Sequence, residues 1–491
     1  MAYRQGARDQ MKLLPPCIEE YVTPADPVRA YDAFVDSLSL DELGIIWDEH
    51  KVGNSEYDPK VMIKLLVYGY SYGIRSSRKL ERETYHNLSF IWLMAGLTPD
   101  HKTISRFRKN NRDALKNILK QCVRLCIDMD LIDGNTLFVD GTKIRANASI
   151  GNTWTPVKCE RYLKRVDQHI ESILSECDII DEQEQDRPSL VKLKKELQDK
   201  EHLKSRVEDI LKELTEQERK SINTTDRDCV KVKGRQGIHA GYNGQIVVDE
   251  KHGLIVHSDV VNESNDVNQF AHQTCSERSE SIDQANETLG YKCTNACADA
   301  GYSDIQELKK IDDQHITVIV PSQKQAHDRE IKPFDKEQFC YDEPNDRYIC
   351  PQGHPLSYTF FDKDKNHKVY QITEKSLCLN CQHFGLCPDG HPSGCTKATY
   401  GRRIRRLVDE DLKLKLEHQY NQESAQAIYK LRKEKVEHPF GHIKRNLGVT
   451  AFLLRGIEGV KAEMSLLASC FDITRMINLF GVRLLVAKLR S

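Results

Sequence analysis

Apolar positions change their spacing along this chain, and each change predicts a different kind of element. From about residue 20 to 125 they recur at helical intervals. Asp58-Pro59 opens a helix whose apolar positions include Val61, Ile63, Leu65, Leu66 and Tyr70. An acceptor side chain followed by proline in the first turn is a helix start. Ser76-Ser77-Arg78-Lys79-Leu80-Glu81 begins a second helix, with Ser76 or Ser77 as N-cap, and Asp100-His101-Lys102-Thr103-Ile104 begins a third. At Thr136-Leu137-Phe138-Val139 the pattern becomes a short apolar run of strand type. Residues 156–222 interrupt it with charged, helix-forming sequence. There Leu193, Leu197, Leu203, Val207, Ile210, Leu211 and Leu214 fall at helical spacing after the turn Asp186-Arg187-Pro188. This predicts an antiparallel helical hairpin packed on itself. Gly241–Asp249 and Leu254–Val260, joined by Lys251-His252-Gly253, read as a β-hairpin. After the hairpin come a helix around 266–288, a strand ending at Asp299, a helix from Asp304 to Ile311 and a strand over Ile316–Val320. Strands and helices in this order predict an α/β fold with a mixed sheet flanked by helices.

The length of 491 residues exceeds one ordinary core and predicts several domains. Apolar residues make up 39% and charged residues 30%, which describes a charge-rich globular chain. No apolar run reaches the length of a membrane span, and Met1-Ala2-Tyr3-Arg4-Gln5-Gly6 has no apolar secretory core. A cytoplasmic location is expected. The formal net charge of -2 does not favour a polyanionic partner overall. Basic runs are nevertheless concentrated locally: Arg106 to Arg112, Arg402-Arg403-Ile404-Arg405-Arg406, and Lys433, Lys435, Lys444 and Arg445. The first lies in the last of three predicted helices joined by short turns, an arrangement of helix-turn-helix type. It makes Arg106 and Arg108 candidates for DNA contact.

Three acidic residues carry the candidate chemistry. Asp140 follows Leu137-Phe138-Val139 and precedes Gly141; Asp299 follows Ala296-Cys297-Ala298 and precedes Gly301; Glu437 lies in a helical stretch. An isolated Asp after a strand is ordinarily a turn former. Two strand-end aspartates and a helical glutamate together make a donor set for hard divalent cations. A metal pair so held would clamp the attacking and leaving oxygens of a phosphoryl transfer. The three acids are expected to converge in the folded chain.

The words around them resemble a bacterial insertion-sequence transposase of the DDE type. Val139-Asp140-Gly141-Thr142-Lys143-Ile144-Arg145-Ala146-Asn147 carries the first acid, and Ala298-Asp299-Ala300-Gly301-Tyr302 the second. Tyr429-x2-Arg432-x4-Glu437-x6-Lys444 is similar to the Tyr-Arg-Glu-Lys signature, with four residues between Arg432 and Glu437 where the commoner form has three. The resemblance extends to 57–112, to Gly241-Tyr242-Asn243-Gly244-Gln245 and to Arg455-Gly456-Ile457-Glu458-Gly459-Val460-Lys461. It implies an RNase H-like catalytic core in which Asp140, Asp299 and Glu437 hold two Mg²⁺ ions, with Mn²⁺ as a substitute. It implies DNA contacts by Tyr429, Arg432 and Lys444. Lys444 and Tyr429 lie seven and eight residues from Glu437, on its helical face, whereas Arg432 at five lies off it. The implied partners are double-stranded DNA, as transposon terminal inverted repeats and target, and a second copy of the chain, in a nucleoid-associated complex. Two alternatives share these features: an RNase H-like nuclease that cuts without strand transfer, and a non-enzymatic DNA-binding descendant of a transposase.

Sixteen cysteines in a chain expected in the cytosol do not suggest a disulfide framework. Cys350, Cys378, Cys381 and Cys387 are spaced as a closed structural zinc site, with His354 as a possible replacement ligand and reduced surface thiols as the plain alternative. Residues 340–400 are rich in polar and turn residues, so this zinc is expected to act as their staple. The expected organisation is a helical DNA-binding domain over 1–130, a core over 131–335 interrupted at about 156–222, a cysteine-rich insertion over 336–400, and a return to the core over 401–491 with the Glu437 helix.

Overall fold

The computed structural model describes residues 17–45, 56–182, 187–234, 237–264, 281–327, 335–363, 366–381, 396–397 and 401–491. These fall into two compact units. One takes in the described residues within Met1–Asp266, Glu277–Cys293 and Arg432–Ser491, the other those within Thr294–Leu431. Helices and strands are both abundant, so the mixed α/β class holds.

In the first unit the predicted helix starts are in place. Asp58 accepts from the Lys60 amide at 2.7 Å ahead of the helix Pro59–Ser71, and Asp100 accepts from the Thr103 amide at 2.6 Å ahead of His101–Asn110. The helix Ser77–His86 begins after Ser76, whose hydroxyl makes no capping bond. Gly69 lets that helix approach closely, because a Cβ there would lie 2.3 Å from a Leu80 methyl. The N-terminal helices and the sheet of this unit share one packed interior. The long helix Ile457–Phe480 buries Val460, Met464, Leu467 and Phe471 and packs on the helices Pro59–Ser71 and Arg112–Asp128 and on the strand Ile255–Val261.

The strand Gly237–Asp249 is the centre of this unit's sheet. It pairs antiparallel with Thr136–Arg145, with Ile255–Val261 in the predicted hairpin, and with Val230–Gly234. The strand carrying Asp140 does not end there. It runs on to Arg145, with Asp140 paired to Ile246 and Gly141 to Gln245. An Asp-Gly step after an apolar run predicts a turn at Gly141. Partner residues 241–246 instead supply a ladder that carries the backbone straight through. The interrupting segment forms a helical pair: Pro156–Glu182 and Arg187–Glu216 enclose Cys159, Val207, Leu214 and Ile222, with Trp154 and Tyr162 packed alongside. The side chain of Leu193 lies outside the described residues. Of the helix expected around 266–288, Ser281–Leu289 is described.

In the second unit Asn295–Cys297 and Thr317–Ile319 form a parallel pair, connected through the helix Ile305–Asp313. A separate antiparallel sheet runs in the order Thr396–Lys397, Gly401–Leu407, His367–Ile372, Pro355–Asp362, Arg347–Ile349, Cys340–Asp342. The sheet therefore extends past residue 400. It also has a core of its own, which corrects the expectation of a segment with little to bury. Phe339, Tyr348, Leu356, Tyr370, Ile372 and Ile404 pack together. Tyrosines fill space that a composition reading counts as polar. The Tyr348 ring lies 5.0 Å from Tyr341 and 5.2 Å from Tyr370, and Asp346 accepts from the Tyr341 and Tyr370 hydroxyls at 2.7 and 2.5 Å.

Candidate active site and nucleic-acid interface

Asp140 is half-buried in the middle of its strand, and its neighbour comes from the far end of the chain. Arg432 Nη2 donates to Asp140 Oδ1 at 3.5 Å, with the two side chains 13% and 19% exposed. Two residues along the strand, on the same face, the Thr142 hydroxyl bonds Lys444 Nζ. The segment from Arg432 to Lys444 is thus tethered to the strand at both ends, and Glu437 lies between the tethers, exposed on the helix Glu423–Gly441. Pro439 sits inside that helix, where it removes one backbone donor and clashes with the preceding turn. After Gly441 the chain makes a π-helical turn over His442–Asn446, a feature often found near functional sites. Lys444 is exposed, but it lies on this wider turn rather than two plain α-turns beyond Glu437, so the seven-residue rule does not set its direction. By sequence spacing Arg432 lies off the helical face of Glu437, yet its guanidinium meets Asp140. His438 and His442 place their rings 5.5 and 5.4 Å from Phe471, and burial holds both imidazoles below their ordinary pKa.

Asp299 lies in the second unit, two residues after the strand Asn295–Cys297, at a strand end as expected. Its Oδ1 accepts from the Gly301 amide at 2.7 Å and caps a short 3-10 turn over Ala300–Tyr302. Tyr429, in the same unit, is half-buried with its ring 5.1 Å from Tyr420.

Three of the recognised words meet in the first unit. Residues 141–145 pair with 245–241, and Gly241 has no room for a side chain: a Cβ would lie 2.6 Å from the Ile144 carbonyl oxygen. Asn147 donates to the Leu453 carbonyl at 2.8 Å, and Arg455 donates to the Asn147 carbonyl at 3.0 Å. Buried charges that the apolar pattern of the sequence does not reveal support this arrangement. Glu463 is fully buried, ion-paired to Arg75 at 2.9 Å, and accepts from the Leu453 and Leu454 amides at 2.8 and 2.9 Å. Burial pushes its carboxyl above the usual range, against these donors. Asp472, also fully buried, accepts from the Ile255 amide at 2.9 Å. A carboxylate inside an otherwise apolar helical stripe was the available signal for both.

Arg106 is exposed beside an open depression of about 790 Å³, which Arg78, Lys102 and Lys109 line with it, along with Ser76 and Ser77. Among the described residues, no carboxylate lines it. Arg108 departs from the expectation. It is 5% exposed and donates to Tyr70 Oη at 3.1 Å and to the Arg75 carbonyl at 2.8 Å, so it braces the helices from inside.

Of the four proposed zinc ligands, Cys387 lies outside the described residues. Cys350 opens a tight turn in which the His354 amide donates to its Sγ at 3.4 Å and the Gly353 amide to its carbonyl at 2.8 Å. Burial pushes the Cys378 thiol up, and the Cys381 and Cys350 thiols push it in the same direction. Among the described residues, no group of three or more His, Cys, Asp or Glu side chains is placed to hold a metal ion.

With this geometry in view, the chain matches two family models. One, described as a Transposase domain (DUF772), covers residues 16–110; the other, described as a Transposase DDE domain, covers residues 349–477. The two matches together support an insertion-sequence DDE transposase. The first match takes in the basic depression, and the second takes in the cysteines, Glu437 and Lys444; Asp140 and Asp299 lie outside both. No curated protein and no solved structure matches the chain. No described helix is long and apolar enough to cross a membrane.

Proposed function

We propose that this transposase cuts DNA at the ends of its element and joins the cut ends to a target by two-metal phosphoryl transfer in an RNase H-like core. Asp140, Asp299 and Glu437 are the ligands in this reading. The observation that carries it is the double tether, Arg432 to Asp140 and Lys444 to Thr142, which holds the Glu437 segment against the strand of the first acid. The donor set suits hard cations because it is all carboxylate. Two bound Mg²⁺ ions would lower the pKa of an attacking water or 3′-hydroxyl and stabilise the leaving 3′-oxygen. Arg432 orients Asp140 and offsets its charge. Lys444, exposed at the rim, takes a phosphate of the cleaved end, and Tyr429 contacts a terminal nucleotide. Arg78, Lys102, Arg106 and Lys109 grip duplex phosphates. Cys350, Cys378, Cys381 and Cys387 hold a structural zinc, which the amide-to-sulfur bond at Cys350 fits. Purified protein incubated with Mg²⁺ and the DNA flanking its gene tests the reaction: cut ends joined to a second DNA are expected. Cutting without joining would reduce the activity to a nuclease, and no cutting would leave a binding protein. Zinc near one ion per chain is expected in protein never exposed to chelator.

A further inference from the structure

We propose that the sheet of the second unit binds single-stranded DNA on the face opposite its apolar core, stacking a base on Phe360 and receiving phosphates at Arg403 and Arg405. The proposal rests on the reading that the chain works on DNA, but not on the assignment of the three acids. Directly paired residues of an antiparallel ladder share a face. Tyr348, Leu356 and Ile372 form one row on the core side, and Tyr370 with Ile404 another. Ser357, Gln371 and Arg403 form a row on the opposite face, and Phe360, Val369 and Arg405 the next.

A register shift between Tyr358 and Phe360 places the aromatic there. Strict alternation would have turned Phe360 to the core side with Tyr358. The bulge re-aims it outward, a device that recurs next to functional sites. Phe360 is 43% exposed, beside a floor made by Val369, which is 2% exposed. Two strands away, Arg405 is exposed. Arg403 Nε donates to Gln371 Oε1 at 2.9 Å, and its guanidinium lies 5.9 Å from the Phe360 ring. Of the acids on this face, Asp342 is ion-paired with Arg347 at 2.7 Å, and Asp362 lies at the far end of the strand opposite His367. An exposed aromatic flanked by guanidinium groups on a sheet is complementary to a polyanion that also offers flat apolar faces. Unpaired bases stack on such platforms; bases within a duplex are already stacked on each other.

Fluorescence anisotropy of a labelled oligothymidylate, titrated with the full chain over a range of salt, tests this. Phe360→Ala is expected to weaken binding about tenfold. Phe360→Trp is expected to retain affinity and to show quenching absent from the unaltered chain. Arg405→Gln is expected to lower the slope of log affinity against log salt by about 0.7. A duplex of the same length should lose far less on Phe360→Ala. Unchanged binding in folded Phe360→Ala and Arg405→Gln would overturn the proposal, leaving the face to a protein partner. Equal losses on duplex and single strand would overturn it too, since they would mark a plain charged patch. Cleavage of element ends, measured on the same preparations, reports separately on the catalytic reading. A chain that fails to cleave yet binds through Phe360 loses that reading and keeps this one.

Discussion

Asp140 and Asp299 each have a hydrogen-bond partner, and the two partners lie at very different distances along the chain. Asp140 is held in a ladder whose partner strand lies about a hundred residues on, and its side chain is met by Arg432, 292 residues away. Asp299 is met by Gly301, two residues away. A carboxylate answered by its own turn has a local job whatever else it does. A carboxylate in mid-strand that meets a guanidinium 292 residues away owes that neighbour to the tertiary structure. The same residue type after the same kind of apolar run therefore carries different weight as a sign of function.

Substituting both residues by asparagine is the sharpest way to break this comparison. Asn keeps the shape, and at 299 its side-chain oxygen still accepts from Gly301. Asp140→Asn and Asp299→Asn are each expected to lower cleavage in Mg²⁺ at least about a thousandfold, the scale of losing several kcal/mol of charge stabilisation, with circular dichroism unchanged. Full activity of Asp299→Asn would leave Asp299 a turn former only.

Arg432→Ala addresses the long-range half of the comparison. Removing the group that orients Asp140 is expected to cost about tenfold to a hundredfold in cleavage rate, with little change in affinity for DNA ends. A rate equal to that of the unaltered chain would make the 3.5 Å contact incidental. On the local side, Asp299→Ala removes the cap and is expected to destabilise the second unit by about 1 kcal/mol, read as a lower urea midpoint, while Asp299→Asn leaves the midpoint in place. The smallest effect is expected for Lys444→Ala. Binding of cleaved ends should weaken severalfold, and its salt slope should fall by about 0.9; an unchanged slope would mean that Lys444 serves only Thr142.

Much of the local structure was legible. The caps at Asp58 and Asp100, the helical pair between the strands, the turn at Lys251-His252-Gly253 and the strand end before Asp299 come from short patterns, because each depends on groups within a few residues. Arg108 was misread: a basic run does not reveal which of its members faces inward, and Tyr70 and Arg75 decided that.

By itself, the sequence determined the helix starts, the alternation of strands and helices, and the wording around three acids that marks a transposase. These rest on backbone propensity and near-neighbour chemistry, which a linear reading captures. Only the tertiary structure decided that the Asp140 strand continues through Gly141, that Arg432 and Lys444 both reach it, that Glu463 and Asp472 are buried with donors in place, and that a bulge turns Phe360 outward. Each of these depends on a partner far along the chain, and the free energy of a buried charge or a ladder pairing belongs to both partners at once.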